Sequence, residues 1–481
     1  MTDPSAAHPT QLLHRRAFLR LAGLSVAALG LAAACAPPTT TTTTTTSTPP
    51  AQPGAPTAAP AGQAGPAQTA ASGAIKFWHV WGGDRQPIIE KVIADFQAQT
   101  PSVKVEHTVL SQQGLQEKYL TAIAGGEPPD VLMLVTRDLP NFASRGALRG
   151  VDDLIQRDKI DLKTTFYPGE LQTSTYQGKL YGLPLTAGGS NYLVFWNKAH
   201  FREAGLDPDK APKTWAEFAD ASKKLTKVSS GNVERVGSLY WISDNNWHKQ
   251  WAYSNAATLY SEDGMKVMFD SKESVEALKY MLDNLERDAG GYEKVRSFAT
   301  QPGPGGAEGN QSFFQGKLSV HLNGVFHFLQ LEKEAPSLEY GVGVFPFNDQ
   351  NPAAKPVQLV DGVWNYMIPK GAKNIDGAWE LIKYTTAGQG QADFFKAQGR
   401  PSVVPKYNED PEYTKANKYW PVVQDALKQT RALPVTPVYA EDMKILAQYT
   451  EEALLKKRSP EEALRMATVE AQKVHDEKLK A

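Results

Sequence analysis

The segment from residue 74 to residue 135 switches repeatedly between two hydrophobic periods, and this switching limits the folds open to the chain. AIKFWHVW (74–81) and VKVEHTVL (103–110) are strand-like, and DVLMLV (130–135) is a short apolar run suited to a buried parallel strand. QPIIEKVIADFQAQTP (86–101) has helical spacing, with an apolar face made of Ile88, Ile89, Val92, Ile93 and Phe96. Strands that alternate with helices predict an α/β fold.

Ligands of open α/β sheets bind beyond the carboxyl ends of the strands. Residues that face a cleft are therefore expected to follow Trp78, Leu110 and Val135. The alternation continues to the final helical segment, where Ser459 is the predicted N-cap and Glu462 completes a capping box. About 400 residues follow the linker, which is enough for two domains.

The charges of the chain are almost balanced, with 51 basic and 52 acidic residues. Balanced charges give no sign of the basic surface that binds nucleic acid, so nucleic acid is not expected as a partner. The sequence patterns of zinc proteases, redox dithiols, nucleophile elbows and phosphate loops are absent. We therefore expect no enzymatic activity, no cofactor and no metal ion.

Residues 1–34 have the features of an export signal. Arg15 and Arg16 precede an uncharged segment, 21–34, that is too short to span a bilayer comfortably, since about 20 apolar residues are needed. The arginine pair resembles a twin-arginine signal, and the small residues before Cys35 resemble a lipobox. Cys35, the only cysteine, is therefore the predicted acylated first residue of the mature chain. The alternative is an incidental cysteine in an ordinary signal peptide or an uncleaved anchor.

Residues 36–73 consist only of Ala, Pro, Thr, Ser, Gln and Gly. A segment without charge or large apolar side chains cannot bury enough surface to offset its ordering entropy. Residues 35–73 are therefore predicted to be a lipidated cysteine followed by a disordered tether.

Several longer blocks follow one another between about residues 75 and 480. They include FWHVWGGDR, AGGEPPDVLML, NKAHFREAGLDPDKAPKTWAEF, FFQGKLSVHLNGVFHFL, YGVGVFPF, VWNYMIPKGAKNIDGAWELIKYTT and GRPSVV. Together they resemble the extracellular solute-binding proteins of ABC importers, in the sugar-binding group that includes maltose-binding protein.

The resemblance implies two α/β lobes joined by three crossover strands, with a ligand cleft between the lobes. Carried onto this chain, the crossings fall near residues 183–186, 344–347 and 399–402. The lobes implied are an N-terminal lobe of 74–184 with 345–400, and a C-terminal lobe of 186–343 with 402–481.

The resemblance also implies which loops supply ligand contacts. The residues so implied are Trp81, Gly83, Asp84, Gln112, Gln113, Arg137, Asp138, Ser190, Asn191, Asn323, Phe326, Asp361 and Trp364. Phe326 stands where the family usually has tryptophan. A simpler alternative for Asp84 is a surface charge without a ligand. A simpler alternative for Arg137 is an ion pair with Asp138.

Sugars present apolar C–H faces and hydroxyl edges, so their sites need flat aromatic rings with a few oriented polar groups. YWISDNNWHKQW (240–251) supplies both, and it adds Trp241 and Trp247 to the predicted site. For four tryptophans, a ligand contact and a core position are equally good interpretations. They are Trp81, Trp241, Trp247 and Trp364. The tryptophans expected in the core are Trp78, Trp196, Trp215, Trp379 and Trp420.

The sequence thus predicts a lipid-anchored monomeric receptor, exported to the outer face of the cell membrane. It would bind a mono- or oligosaccharide and deliver it to the permease subunits of an ABC importer. A secreted glycan-active enzyme is an alternative, although it would need a carboxylate pair across the sugar. Another alternative function is a sensory or adhesive module that binds a solute without transport. The alternative to a sugar ligand is a non-sugar solute such as a polyamine.

Overall fold

The computed structural model describes residues 71–187, 193–240, 247–299, 310–360, 362–434 and 436–479, all within one compact unit of residues 68–481. The predicted signal segment, Cys35 and most of the linker lie outside the described residues. No helix in these described ranges is long and apolar enough to cross a bilayer.

The first part of the chain forms six strands and six helices before residue 188. The strands are β1 (Gly73–His79), β2 (Val103–Val109), β3 (Val131–Val135), β4 (Thr175–Tyr176), β5 (Lys179–Leu180) and β6 (Gly182–Pro184). The helices are α1 (Gln86–Gln99), α2 (Leu115–Ala124), α3 (Leu139–Ser144), α4 (Asp152–Arg157), α5 (Leu162–Thr165) and α6 (Pro168–Gln172). The order predicted for residues 74–135 is confirmed.

The middle part contributes the second group of strands. These are β7 (Leu193–Asn197), β8 (Lys227–Ser229), β9 (Asn232–Ser238), β10 (Leu318–Asn323) and β11 (Tyr340–Gly343). Its helices are α7 (Lys198–Glu203), α8 (Trp215–Leu225), α9 (Trp247–Tyr253), α10 (Lys272–Ala289), α11 (Tyr292–Ala299), α12 (Asn310–Phe314) and α13 (His327–Glu334).

The last part is mainly helical. Its strands are β12 (Gln358–Val360), β13 (Trp364–Met367) and β14 (Thr430–Ala432). Its helices are α14 (Ile375–Thr386), α15 (Gln389–Lys396), α16 (Pro411–Ala416), α17 (Trp420–Leu427), α18 (Tyr439–Leu454) and α19 (Pro460–Lys478).

Two five-stranded sheets organise these elements. The first sheet has the order β2-β1-β3-β13-β6, and the second has the order β11-β7-β10-β9-β8. In the first sheet β1 pairs in parallel with β2 and β3, whereas β13 pairs antiparallel with β3 and β6. The first sheet thus recruits a strand from late in the chain, after the entire second sheet has been formed. Each sheet is the centre of one α/β lobe.

The packing of helix α1 follows its sequence pattern. Ile89, Val92, Ile93 and Phe96 are buried, and the helix ends at Gln99, just before Pro101. Four of the five tryptophans expected in the core are buried, while Trp78 is half-buried. The apolar face predicted from period 3.6 is therefore buried, apart from Ile88, which is half-buried.

The start of helix α19 differs in one respect from its prediction. Ser459 caps the helix, because its Oγ accepts a hydrogen bond from the Glu462 amide at 3.1 Å. The Glu462 carboxylate instead pairs with Arg458 Nη1 at 2.8 Å, so the reciprocal bond of a capping box is replaced by an ion pair. A guanidinium one turn away is a stronger partner for a carboxylate than a single amide.

The three crossings and the lobe boundaries stay predictions. At the end of the second predicted crossing, 344–347, Trp215 N donates to Phe347 O at 2.9 Å, and Asn348 Nδ2 donates to Asn255 Oδ1 at 2.8 Å. Residues 347 and 348 therefore contact residues at the start of α8 and just after α9.

Candidate functional site

The carboxyl ends of β1, β2 and β3 meet at one edge of the first sheet, because these three strands are parallel. The turn Gly83–Arg85 follows β1, residues 110–114 follow β2, and the turn Thr136–Asp138 follows β3. Six predicted site residues lie on these loops: Gly83, Asp84, Gln112, Gln113, Arg137 and Asp138. The sheet thus brings together residues that are up to 55 positions apart in sequence.

Most of these side chains are free to meet a solute. Gln112, Gln113 and Arg137 are exposed, and the Asp84 side chain is 99% exposed. Gly83 has a φ of +59°, in the left-handed region that favours glycine. An added Cβ there would meet nothing within 4 Å, so backbone conformation is what this position requires of its residue.

Asp138 is a partly buried carboxylate at this edge, and its pKa is perturbed. Burial raises its pKa to about 6, against the smaller opposing effects of the Arg137 charge and a hydrogen bond from Gln116. A partly desolvated carboxylate can still accept strong hydrogen bonds from hydroxyl groups. Its charge is therefore lost just below neutral pH.

A buried polar network supports the loop that carries Asp138. Asn365 Nδ2 donates to Thr136 Oγ1 at 3.2 Å, and Asn365 Oδ1 accepts from Ser174 Oγ at 2.7 Å and Thr173 Oγ1 at 3.2 Å. Thr136 Oγ1 in turn donates to Val363 O at 3.0 Å. These residues were not predicted, because single Asn, Ser and Thr residues in a sequence do not indicate a shared hydrogen-bond network.

Trp81 packs beneath the first loop. Only 1% of it is exposed, its indole Nε1 donates to Tyr366 Oη at 2.7 Å, and its ring lies 5.1 Å from that of Phe394. Of the two interpretations of Trp81, these contacts support the core residue. The ring offers no face to a solute in this conformation.

The second sheet supplies the opposite edge. Asn323 ends β10, its Oδ1 accepts from Gly324 N at 2.8 Å, and its Nδ2 lies 2.9 Å from His321 Nε2. Phe326 is 41% exposed, and a Cβ on Gly324 would come within 2.5 Å of the Phe326 ring. Glycine at this position thus allows the aromatic ring to fold back against the strand end.

One ion pair links the two edges. Lys333 Nζ on α13 lies 3.8 Å from Asp84 Oδ2 in the turn after β1. Because α13 follows β10 of the second sheet, the pair supports the prediction that the two edges face each other. Lys333 was not predicted, since a single lysine on a helix carries no pattern that marks it.

Trp364 begins β13, beside the first predicted crossing at 183–186. Its amide donates to Thr186 Oγ1 at 3.0 Å, its carbonyl accepts from Leu185 N at 3.0 Å, and its side chain is half-buried. Ser190, Asn191, Trp241 and Asp361 lie outside the described residues. Trp247 begins helix α9, but its side chain is not described, so the predicted platform of Trp241 and Trp247 stays a prediction.

No group of three His, Cys, Asp or Glu residues within the described ranges could hold a metal ion. The arrangement is one of exposed polar side chains and one exposed ring on two facing edges. Such a site can bind a polar solute by hydrogen bonds and stacking.

Replacement of Trp81 distinguishes packing from ligand contact. Trp81→Ala should lower the free energy of unfolding by about 3–5 kcal/mol, because it empties a buried site and removes the partner of Tyr366. Phe326→Ala is the matched control and should change stability by less than about 1 kcal/mol, because Phe326 is exposed. Urea unfolding measures both, and a Trp81→Ala protein as stable as the control would contradict the packing role.

The raised pKa of Asp138 predicts a pH dependence of stability. The folded protein binds this proton more tightly than the unfolded chain, so stability should fall as pH rises from about 4 to 6. Asp138→Asn should remove this loss and stabilise the protein by about 1–3 kcal/mol at pH 7, with little gain at pH 4. Unfolding midpoints at both pH values measure the effect, with exposed Asp84→Asn as control. A gain of equal size at both pH values would contradict the assignment.

Comparisons with known proteins agree with this geometry. Residues 91–420 match the family described as bacterial extracellular solute-binding protein. A putative binding protein of Brucella abortus is 24% identical over 396 residues, which cover 80% of this chain and 89% of that protein. The sn-glycerol-3-phosphate-binding periplasmic protein UgpB of Yersinia pestis is 22% identical over 345 residues, or 69% of this chain and 74% of UgpB.

Solved structures show the same architecture. CpMnBP1 with mannotriose bound is 26% identical, with a TM-score of 0.67 and coverage of 83% of this chain and 99% of that one. The sugar-binding protein MalE from Xanthomonas citri has a TM-score of 0.70, 22% identity and coverage of 84% and 98%, which supports the fold. The chain therefore belongs to the bacterial extracellular solute-binding protein family, which serves ABC transport by binding solutes and not by transforming them.

Proposed function

We propose that this protein is a lipid-anchored receptor that captures a carbohydrate outside the membrane and delivers it to the permease subunits of an ABC importer. The observation that carries the proposal is the pair of facing edges joined by Asp84 and Lys333, each edge bearing exposed polar or aromatic side chains. One relative, CpMnBP1, which was solved with mannotriose and with mannobiose and is 26–27% identical in these two structures, supports a saccharide as the solute.

The residues of the two edges have complementary roles in the proposal. Gln112, Gln113 and Asp138 would accept or donate hydrogen bonds to hydroxyl edges, and Phe326 would offer its exposed ring to a C–H face. Contacts to both lobes favour the conformation in which the lobes are close, because only differential contacts shift such an equilibrium.

The solute class is tested by ligand-dependent stability of the full chain purified in detergent. Mannotriose at 100 times its dissociation constant should add about 2.7 kcal/mol and raise the unfolding midpoint. Spermidine serves as the comparison, since polyamines are the alternative solutes. A rise with spermidine and none across a panel of neutral and acidic saccharides would contradict the carbohydrate proposal.

The anchor is tested at the single cysteine of the chain. Cys35→Ala should abolish incorporation of radiolabelled palmitate and leave the protein unprocessed or released from the membrane, because no other thiol can be acylated. The wild-type chain labelled in parallel is the control. Equal labelling of the variant and the wild type would contradict the lipid anchor at Cys35. It would not affect the proposal that the protein binds a solute.

A further inference from the structure

Two arginines outside the predicted site lie close together on the first-sheet side of the cleft. Arg85 closes the turn after β1, and its Cζ lies 5.2 Å from the centre of the Trp81 ring. Trp81 also contacts Phe394 on α15, with the ring centres 5.1 Å apart. Arg400 follows that helix and donates its amide hydrogen to Phe395 O at 2.9 Å. Trp81 and the end of α15 thus hold both arginines in one cluster.

Among the described residues, the cluster holds no carboxylate to balance these charges. Neither guanidinium forms an ion pair within the described ranges, and the Nε of Arg400 is shut off from solvent without a hydrogen-bond partner. The nearest acidic neighbour in sequence, Asp84, is directed at Lys333. Burial and then the positive charge of Arg85 lower the pKa of Arg400 to about 10.

Helix α1 supplies no anion site of its own. It begins at Gln86, whose amide donates to Gly83 O, and Pro87 has no amide hydrogen, so the first two positions offer no free donor. The positive potential of the cluster therefore comes from the two guanidinium groups. Arg85 is exposed to water, whereas the buried Nε of Arg400 has no hydrogen-bond partner among the described residues. Leaving a buried donor unsatisfied is costly, so an acceptor group of a solute would stabilise this arrangement.

The geometry points to an anion subsite in the cleft, where Arg85 and Arg400 bind a carboxylate or phosphate group of the solute. The substrate class is then an acidic saccharide, either a uronate or a sugar phosphate. The guanidinium fork matches both groups, because each presents two oxygens for parallel hydrogen bonds. This inference rests on the proposed function, since it names the solute of the same cleft.

Calorimetric titration of the full chain in detergent tests the subsite with matched sugar pairs. The pairs are mannobiose with the disaccharide of mannuronic acid, and mannose with mannose 6-phosphate. At least one acidic member should bind about tenfold or more tightly than its neutral partner, and the gain should shrink as salt is raised. The pair that shows the gain tells whether the group is a carboxylate or a phosphate.

Variants assign the effect to the two arginines. Arg400→Gln should lose about tenfold or more in affinity for the acidic sugar and keep its affinity for the neutral one. Arg85→Gln should do the same, and because Arg85 is exposed this variant remains informative if Arg400→Gln fails to fold. Arg145→Gln, an exposed arginine of the same lobe, is the matched control and should change neither affinity.

The outcomes separate this inference from the proposed function. Equal affinities for acidic and neutral sugars would overturn the anion subsite and leave a carbohydrate receptor. An acidic preference that survives both arginine variants would also overturn it, because the anion would then bind elsewhere. Absence of binding by all four sugars and by a wider saccharide panel would contradict the proposed function, and this inference with it.

Discussion

The antiparallel pairing of β13 with β3 and β6 is the constraint on which the rest of the structure depends. Residues 364–367 complete a sheet whose other strands lie before residue 185, and they do so after the second sheet has been built. The chain must therefore leave the first lobe, form the second and return. This path places the carboxyl ends of β1, β2 and β3 and the end of β10 on two facing edges.

Strand β13 also makes the buried part of the site rigid, while the side chains of the loops stay exposed to solvent. Asn365 ties the loop after β3 to residues 173 and 174 by buried hydrogen bonds, and Tyr366 holds the indole of Trp81. Buried, fully bonded groups of this kind fix the loops that carry Asp84 and Asp138. The exposed side chains of the loops can then reorganise around a solute without disturbing the sheet.

Local pattern was enough to predict several individual elements. The apolar face of α1, the buried run of β3 and the Ser459 cap all follow from residues within a few positions of one another. The loops after β1, β2 and β3 could be expected at one edge because parallel strands bring their ends together. The choice of Gln112, Gln113, Arg137 and Asp138 within those loops came from the family resemblance.

The features that the sequence did not predict depend on contacts between distant residues. Trp81 is buried because Tyr366 and Phe394, which are 285 and 313 positions away in sequence, pack against it. The Asp84–Lys333 pair likewise joins residues that are far apart in sequence. The cluster of Arg85 and Arg400 belongs to this group, since each arginine alone resembles an ordinary surface charge.

The proposed function requires a solute to bind between two lobes that move relative to one another. The single cysteine allows a direct test, because Glu117→Cys and Leu329→Cys on a Cys35→Ser background place spin labels only at two exposed positions, one on α2 and one on α13. The distance between the labels can be measured by pulsed electron spin resonance, with and without a saturating saccharide. Closure of the lobes around the solute predicts a shorter and narrower distance distribution with the saccharide bound. An unchanged distribution at saturation would contradict it.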